Sequence, residues 1–365
     1  MCVVVLTAAI TIAFLSRGLK PVVRSNHGVA SELLKQAPYV SCAIGSLAMP
    51  VSYDSNGLPM ITLLIGSPSQ LVRLVVDTGS PDLMVKVPRA FNPSSSSSLE
   101  RADKNTCSRV AFGTQADHVC WMRDSVALAG RCVQSITELK NAESANSLPQ
   151  GRVDYAGVWF LGSNKRERSE HAELNIPVSD YDVIGLARNH SGEDLLSQLA
   201  GTRSSENDGG DGLFTFIFGD DDSKGHASVA HLVIGHIDNI DYKPLHTVFD
   251  PDFFRVELRG MQVGDLSVHP CPKHAIIDSG SNYVFAPPAT VSAMKKRMKT
   301  KQNLVLDFGP MRLTVPPSAY LAPDGGFYIE VSHSPPDALV LGTMFMRSIV
   351  VEFDSAKRSV RMATL

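Results

Sequence analysis

The sequence predicts an all-β protein of two similar lobes, and three observations predict it. At 365 residues the chain exceeds what one hydrophobic core usually fills, so two lobes of roughly 100–200 residues are expected. A short motif is written twice, 201 residues apart: Asp77-Thr78-Gly79-Ser80 and Asp278-Ser279-Gly280-Ser281. Each copy lies between short apolar runs of strand length. Leu71 to Val76 (interrupted at Arg73) and Leu83 to Val85 flank the first; Ala275 to Ile277 and Tyr283 to Phe285 flank the second.

In each copy the acid sits at the mouth of a buried strand. A carboxylate there is costly to bury unless it is hydrogen-bonded or paired. Gly79 and Gly280 let the turn bring backbone N–H groups close to the acid. Thr78, Ser80, Ser279 and Ser281 supply hydroxyls that can hold it or brace the loop. Ordinary strand-to-turn corners use the same residue types. A doubled copy, one lobe apart and flanked alike, is far more specific.

This doubled motif resembles the pepsin-like aspartic endopeptidases, and other stretches extend the resemblance from about Leu47 to Leu365. Ile65-Gly66-Ser67-Pro68-Ser69-Gln70 is similar to the family's Ile-Gly-Thr-Pro-x-Gln, and Phe91-Asn92-Pro93 with Ser94 to Ser98 to its Phe-x-Pro-x-x-Ser-Ser. Leu232 to Asp238 with Tyr242, and Val340-Leu341-Gly342 with Phe345-Met346-Arg347 and Val351 to Asp354, resemble its later signatures. The resemblance implies two pseudo-symmetric β-barrel-like lobes, a cleft between them and a flap hairpin. It implies Asp77 and Asp278 as the catalytic pair, with the Thr-Gly-Ser and Ser-Gly-Ser residues supporting them. It implies Phe112-Gly113-Thr114 at the substrate-binding flap tip. Two positions depart from the pattern: Phe112 stands where the family usually has Tyr, and Met84 where it usually has Trp, so the family's Tyr–Trp hydrogen bond cannot form.

Taken in order, Val3 to Leu15 is an apolar run too short for an ordinary membrane span. It suits a signal peptide ending near residue 18, or a signal anchor. Residues 19–46 would be a basic pro-segment, or a linker without a regulatory role. The lobes divide as 47–243 and 244–365. Asn56-Gly57 marks a hairpin turn between Leu47 to Val51 and Met60 to Ile65. Val110 to Thr114 and Ser125 to Leu128 read as the arms of the flap hairpin. Val183-Ile184-Gly185 and Val340-Leu341-Gly342 should pack beneath the two Asp loops, Gly allowing close backbone approach. Asn164 to Glu173, Ser204 to Gly212 and Asp220-Asp221-Asp222 read as surface insertions, and Val291 to Lys299 as a short basic helix. Asn189-His190-Ser191 is a glycosylation sequon that chance explains equally well.

Composition excludes several classes. Net charge is −3, which gives no basic field for nucleic acid. No metal site is expected, since no C-x-x-C or Cys/His cluster is present. No cofactor is implied, and no zincin helix, P-loop or nucleophile elbow appears. Of six cysteines, Cys107 and Cys120 could face each other across the flap hairpin. Without Cys2 an odd thiol remains among Cys42, Cys107, Cys120, Cys132 and Cys271. It is resolved by pairing with Cys42, or by loss of Cys42 with the pro-segment. The expected function is peptide-bond hydrolysis between apolar residues at acidic pH, on a peptide or protein substrate, by a monomer on the secretory route. Membrane attachment is expected only through an uncleaved anchor. The alternative is an inactive protein of the same fold that binds peptide.

Overall fold

A computed structural model describes residues 46–101, 107–112, 115–141, 151–168, 182–187, 195–201, 212–218, 230–250, 252–322, 325–332, 337–346 and 349–364. Among them the chain is mostly strand, with short α-helices at Ile136–Asn141, Leu195–Gly201, Pro288–Met298 and Pro317–Tyr320. The all-β, two-lobed fold expected from the sequence is the one found.

The first lobe begins with an antiparallel run of Ser46–Tyr53, Pro59–Ile65 and Gln70–Asp77. Its first turn is held by Asp54, whose carboxylate accepts the N–H of Asn56 at 2.9 Å and of Leu58 at 2.8 Å. Gly57 has φ +82°, a left-handed conformation that favours glycine, as the Asn-Gly signal predicts. Gln70–Asp77 then pairs in parallel with Asp182–Gly185, which sets Asp77 opposite Gly185. Leu83–Lys86 pairs antiparallel with that same strand.

The second lobe repeats this pattern. His274–Ile277 pairs in parallel with Ala338–Leu341, and Val284–Ala286 pairs antiparallel with Ala338–Leu341. In both lobes the strand carrying the acid and the strand leaving the loop flank a central apolar strand. A cushion strand buried on both faces reads as a continuous apolar run, which is why Val340-Leu341 shows no alternation. Each cushion ends in a glycine with no room for a side chain. A Cβ on Gly185 would stand 2.4 Å from the Ser80 carbonyl, and one on Gly342 2.3 Å from the Tyr283 carbonyl.

Both lobes share a sheet in which Ser46–Tyr53 pairs with Ala230–Ile234, followed by Leu213–Ile217, Ile349–Asp354 and Ser359–Thr364. Strand alternation sends Phe214, Phe216, Val351 and Phe353 into the main core. Phe214 stacks on Phe353 with centroids 4.7 Å apart. Burying each such ring contributes about 1.5–3 kcal/mol. The opposite face carries Thr215 and, directly across from it, Glu352, which is 1% exposed. Glu352 also lies opposite Arg361, whose Nε donates to it at 2.6 Å, and His236 Nδ1 contacts its other carboxylate oxygen.

Three details differ from the expectation. The flap hairpin pairs Ser108–Phe112 with the start of the long strand Gln115–Val133, with Phe112 opposite Gln115. Ser125 to Leu128 therefore is not the second arm; Val126 to Leu128 pair with Pro59–Ile65 further along the same strand. Residues 164–168 are not a surface insertion. They complete the strand Gly151–Arg168, which runs beside the hairpin as far as Arg168 opposite Gln115. The expected basic helix starts earlier, at Pro288, whose fixed φ suits a first turn. The helix buries Thr290, Val291, Met294 and Met298 and places Lys295, Lys296 and Arg297 near its C-terminal dipole.

Cys107 and Cys120 are joined by a disulfide, in line with their facing positions. Cys132 is also disulfide-bonded, and Cys271 is a free thiol. The leader, almost all of the pro-segment, the sequon, the stretches 202–211 and 219–229, and the flap-tip residues Gly113 and Thr114 lie outside the described residues. No described helix is long and apolar enough to cross a membrane.

Candidate active site

The two Asp loops meet tip to tip. Each turn satisfies its own acid in the same way. Gly79 N–H donates to Asp77 Oδ1 at 2.7 Å, and Ser80 Oγ to Asp77 Oδ2 at 2.6 Å. In the second loop Gly280 N–H donates to Asp278 Oδ1 at 2.9 Å, and Ser281 Oγ to Asp278 Oδ2 at 2.7 Å. The two carboxyls lie close enough for the Asp77 side chain to hydrogen-bond Asp278. A Cβ on Gly280 would lie 2.4 Å from Asp77 Cγ, and one on Gly79 2.9 Å from Asp278 Oδ1.

Thr78 and Ser279 lock the loops across the approximate two-fold axis. Thr78 Oγ1 donates to the Ile277 carbonyl at 2.9 Å and accepts the Ser279 N–H at 2.9 Å. Ser279 Oγ donates to the Val76 carbonyl at 2.8 Å and accepts the Thr78 N–H at 3.1 Å. Both side chains are 1% exposed. Four reciprocal bonds in a dry site make one rigid network from two distant pieces of chain.

The two acids are not equivalent. Asp278 is 5% exposed, whereas Asp77 is only half-buried. Burial first, and then the neighbouring Asp77 charge, push the Asp278 carboxyl well above the usual carboxylate range. The Ser281 and Gly280 bonds oppose this without cancelling it. Two carboxyls this close share a proton in acid and repel when both ionise.

The structure therefore brings together eight of the eleven residues singled out from the sequence. Of the other three, Phe112 is described only in its backbone pairing, and Gly113 and Thr114 lie outside the described residues. Met84, in the position of the family's Trp, is 5% exposed. It packs with Val119 and Leu161, and Trp121 rests against this cluster. Among the described residues no group of His, Cys, Asp and Glu could hold a metal ion.

Sequence reasoning missed Asp182, the first residue of the cushion strand under Asp77. Its Oδ1 accepts the Lys86 N–H at 2.5 Å. Burial raises its pKa to about 6, with that bond and the charges of Lys86 and Arg89 pulling the other way. A carboxyl with a raised folded pKa binds a proton more tightly folded than unfolded, so its contribution is present in acid and lost as pH rises from about 4 to 6. The shift corresponds to at most about 3 kcal/mol. In Asp182→Asn, unfolding free energy should gain on wild type by up to that amount between pH 4 and pH 7. Parallel stability curves in denaturant titrations would contradict this.

Comparison with known proteins agrees with this geometry. The family model for eukaryotic aspartyl proteases matches residues 60–185, which include the first Asp loop. The chain is 25% identical over 330 residues to a protein named acid protease from Saccharomycopsis fibuligera, covering 83% of this chain and 80% of the relative. It is 24% identical over 352 residues to syncephapepsin from Syncephalastrum racemosum, covering 88% and 82%. Doubled Asp loops joined across two β lobes define the class of two-lobed aspartic protease folds. With these matches, the chain is similar to the pepsin-like aspartic proteases.

Proposed function

We propose that this protein is an aspartic endopeptidase whose catalytic pair is Asp77 and Asp278. The observation that carries the reading is the carboxyl pair itself, two acids brought together by the reciprocal Thr78 and Ser279 bonds with a proton favoured on Asp278. Asp77, the more exposed member, takes a proton from a substrate water as its oxygen attacks the scissile carbonyl carbon. Asp278 hydrogen-bonds the carbonyl oxygen and gives up its proton as negative charge develops there. As the resulting gem-diol collapses, one of its hydroxyls returns a proton to Asp278, the C–N bond breaks, and the amine leaves with the proton held by Asp77. Ser80 and Ser281 hold the outer oxygens so that neither carboxyl rotates out of line.

The substrate on this reading is an extended peptide with apolar side chains, lying between lobes 47–243 and 244–365 under the hairpin that carries Phe112. Residues 1–18 direct the chain to the secretory route, and residues 19–46 serve as a pro-segment. The test is cleavage of quenched apolar peptides from pH 3 to pH 7, before and after acid treatment. Turnover that rises in acid supports the endopeptidase. Absence of turnover in every condition, with peptide still bound, would favour a binding protein built on the same fold.

A further inference from the structure

The Asn56-Gly57 turn of the first lobe is built more rigidly than a hairpin needs, and it touches the second lobe. Besides the two bonds to its carboxylate, Asp54 accepts the Gly57 N–H through its carbonyl at 3.1 Å, and its N–H donates to the Leu58 carbonyl at 3.0 Å. This geometry turns two successive carbonyls outward. Both are taken by side chains of the second lobe. Asn282 Nδ2 donates to the Asn56 carbonyl, and Thr343 Oγ1 donates to the Gly57 carbonyl at 3.1 Å. Asn282 is 8% exposed and Thr343 3%, so both bonds are shielded from water.

These two residues also belong to the catalytic frame. Thr343 N–H donates to the Ser281 carbonyl at 2.8 Å, and Met344 N–H to the Asn282 carbonyl at 3.4 Å. Ser281 in turn holds Asp278 Oδ2. A continuous path thus runs from the hairpin turn through Asn282 and Thr343 to the buried carboxyl. Among the described residues, the two matching positions of the first Asp loop offer no such hook. Pro81 follows Ser80 where Asn282 follows Ser281, and Leu186 follows Gly185 where Thr343 follows Gly342. Neither side chain can donate a hydrogen bond.

We propose that Asn282 and Thr343 form a one-sided interlobe latch that positions Asp278 by hooking its loop to the Asn56-Gly57 turn. The inference rests on the endopeptidase reading for its effect on catalysis, but not for the latch itself. The test compares Asn282→Ala, Thr343→Val and Thr343→Ser with wild type in two measurements.

The first is amide hydrogen exchange of the full chain. Asn282→Ala and Thr343→Val should speed exchange at least tenfold in residues 54–58 and 278–284 together, whereas Thr343→Ser should match wild type. The second is peptide turnover. The first two variants should lose about tenfold in kcat with KM within twofold, since a small misplacement of a reacting group is costly, and Thr343→Ser should recover. Unchanged exchange in residues 278–284 would overturn the latch. Faster exchange with kcat preserved would overturn the positioning role. If wild type itself cuts no peptide, the endopeptidase reading fails, and exchange alone decides the latch.

Discussion

Asp278→Asn should reduce peptide turnover at least about 10³-fold, the scale of a lost general acid or base, while leaving the fold intact. Asn retains an oxygen for the Gly280 N–H, so the loop keeps that anchor. What it lacks is the proton that burial and Asp77 keep on Asp278. Asp77→Asn should fail equally, because an amide cannot take a proton from water. A sharper companion is Gly280→Ala, which retains both acids. Its Cβ would stand 2.4 Å from Asp77 Cγ and Oδ1, and Asp77 is already pinned by Gly79 and Ser80. The pair must be forced apart, and activity should fall on a similar scale. Gly79→Ala meets its nearest atom at 2.9 Å and should be milder. Turnover of a quenched peptide at acidic pH measures all four. Activity within tenfold of wild type in Asp278→Asn would remove the dyad from the mechanism.

The frame of the two Asp loops is legible because it is written in local chemistry. An apolar strand, one acid and a small-residue turn can be recognised within ten residues, and the repeat identifies the partner. The reciprocal Thr78 and Ser279 bonds follow from placing those two loops tip to tip. The reach of the strands was not legible. Gln115–Val133 and Gly151–Arg168 are long because they serve several partners in turn, so each stretch looks by itself like a separate short strand or a charged loop. Residues 164–168 are polar and pair as strand beside the flap hairpin, and polarity alone reads as an insertion. Asp182 was invisible for the opposite reason. Its raised pKa comes from burial, which the Lys86 N–H bond and charge only partly offset, and Lys86 lies nearly a hundred positions earlier, so no sequence window contains both. Asn282 did leave a signal: a buried amide follows the second Ser-Gly-Ser where Pro81 follows the first triplet.

The shared sheet presents a second case of contacts that no local pattern reveals, and it carries the largest stability effect expected. Arg361→Met should destabilise the fold by roughly 3–5 kcal/mol at neutral pH, the usual consequence of stranding one partner of a buried ion pair. Glu352 is the deeply buried member, whereas Arg361 and His236 are each 40% exposed at the side chain. Losing the guanidinium therefore leaves a carboxylate in a dry site, with the His236 ring as its remaining side-chain contact among those described. Losing the carboxylate leaves a guanidinium that can still reach water. Glu352→Gln should accordingly cost less than Arg361→Met, although it removes the same ion pair. The double variant Arg361→Met with Glu352→Val should recover much of the loss, because an apolar pair suits a site bordered by Ile217, Val233 and Val350. Denaturant unfolding at neutral pH for the four proteins measures each of these differences. Equal losses for Arg361→Met and Glu352→Gln would mean that the pair acts as a surface salt bridge, and that burial of Glu352 does not govern the energetics of this sheet.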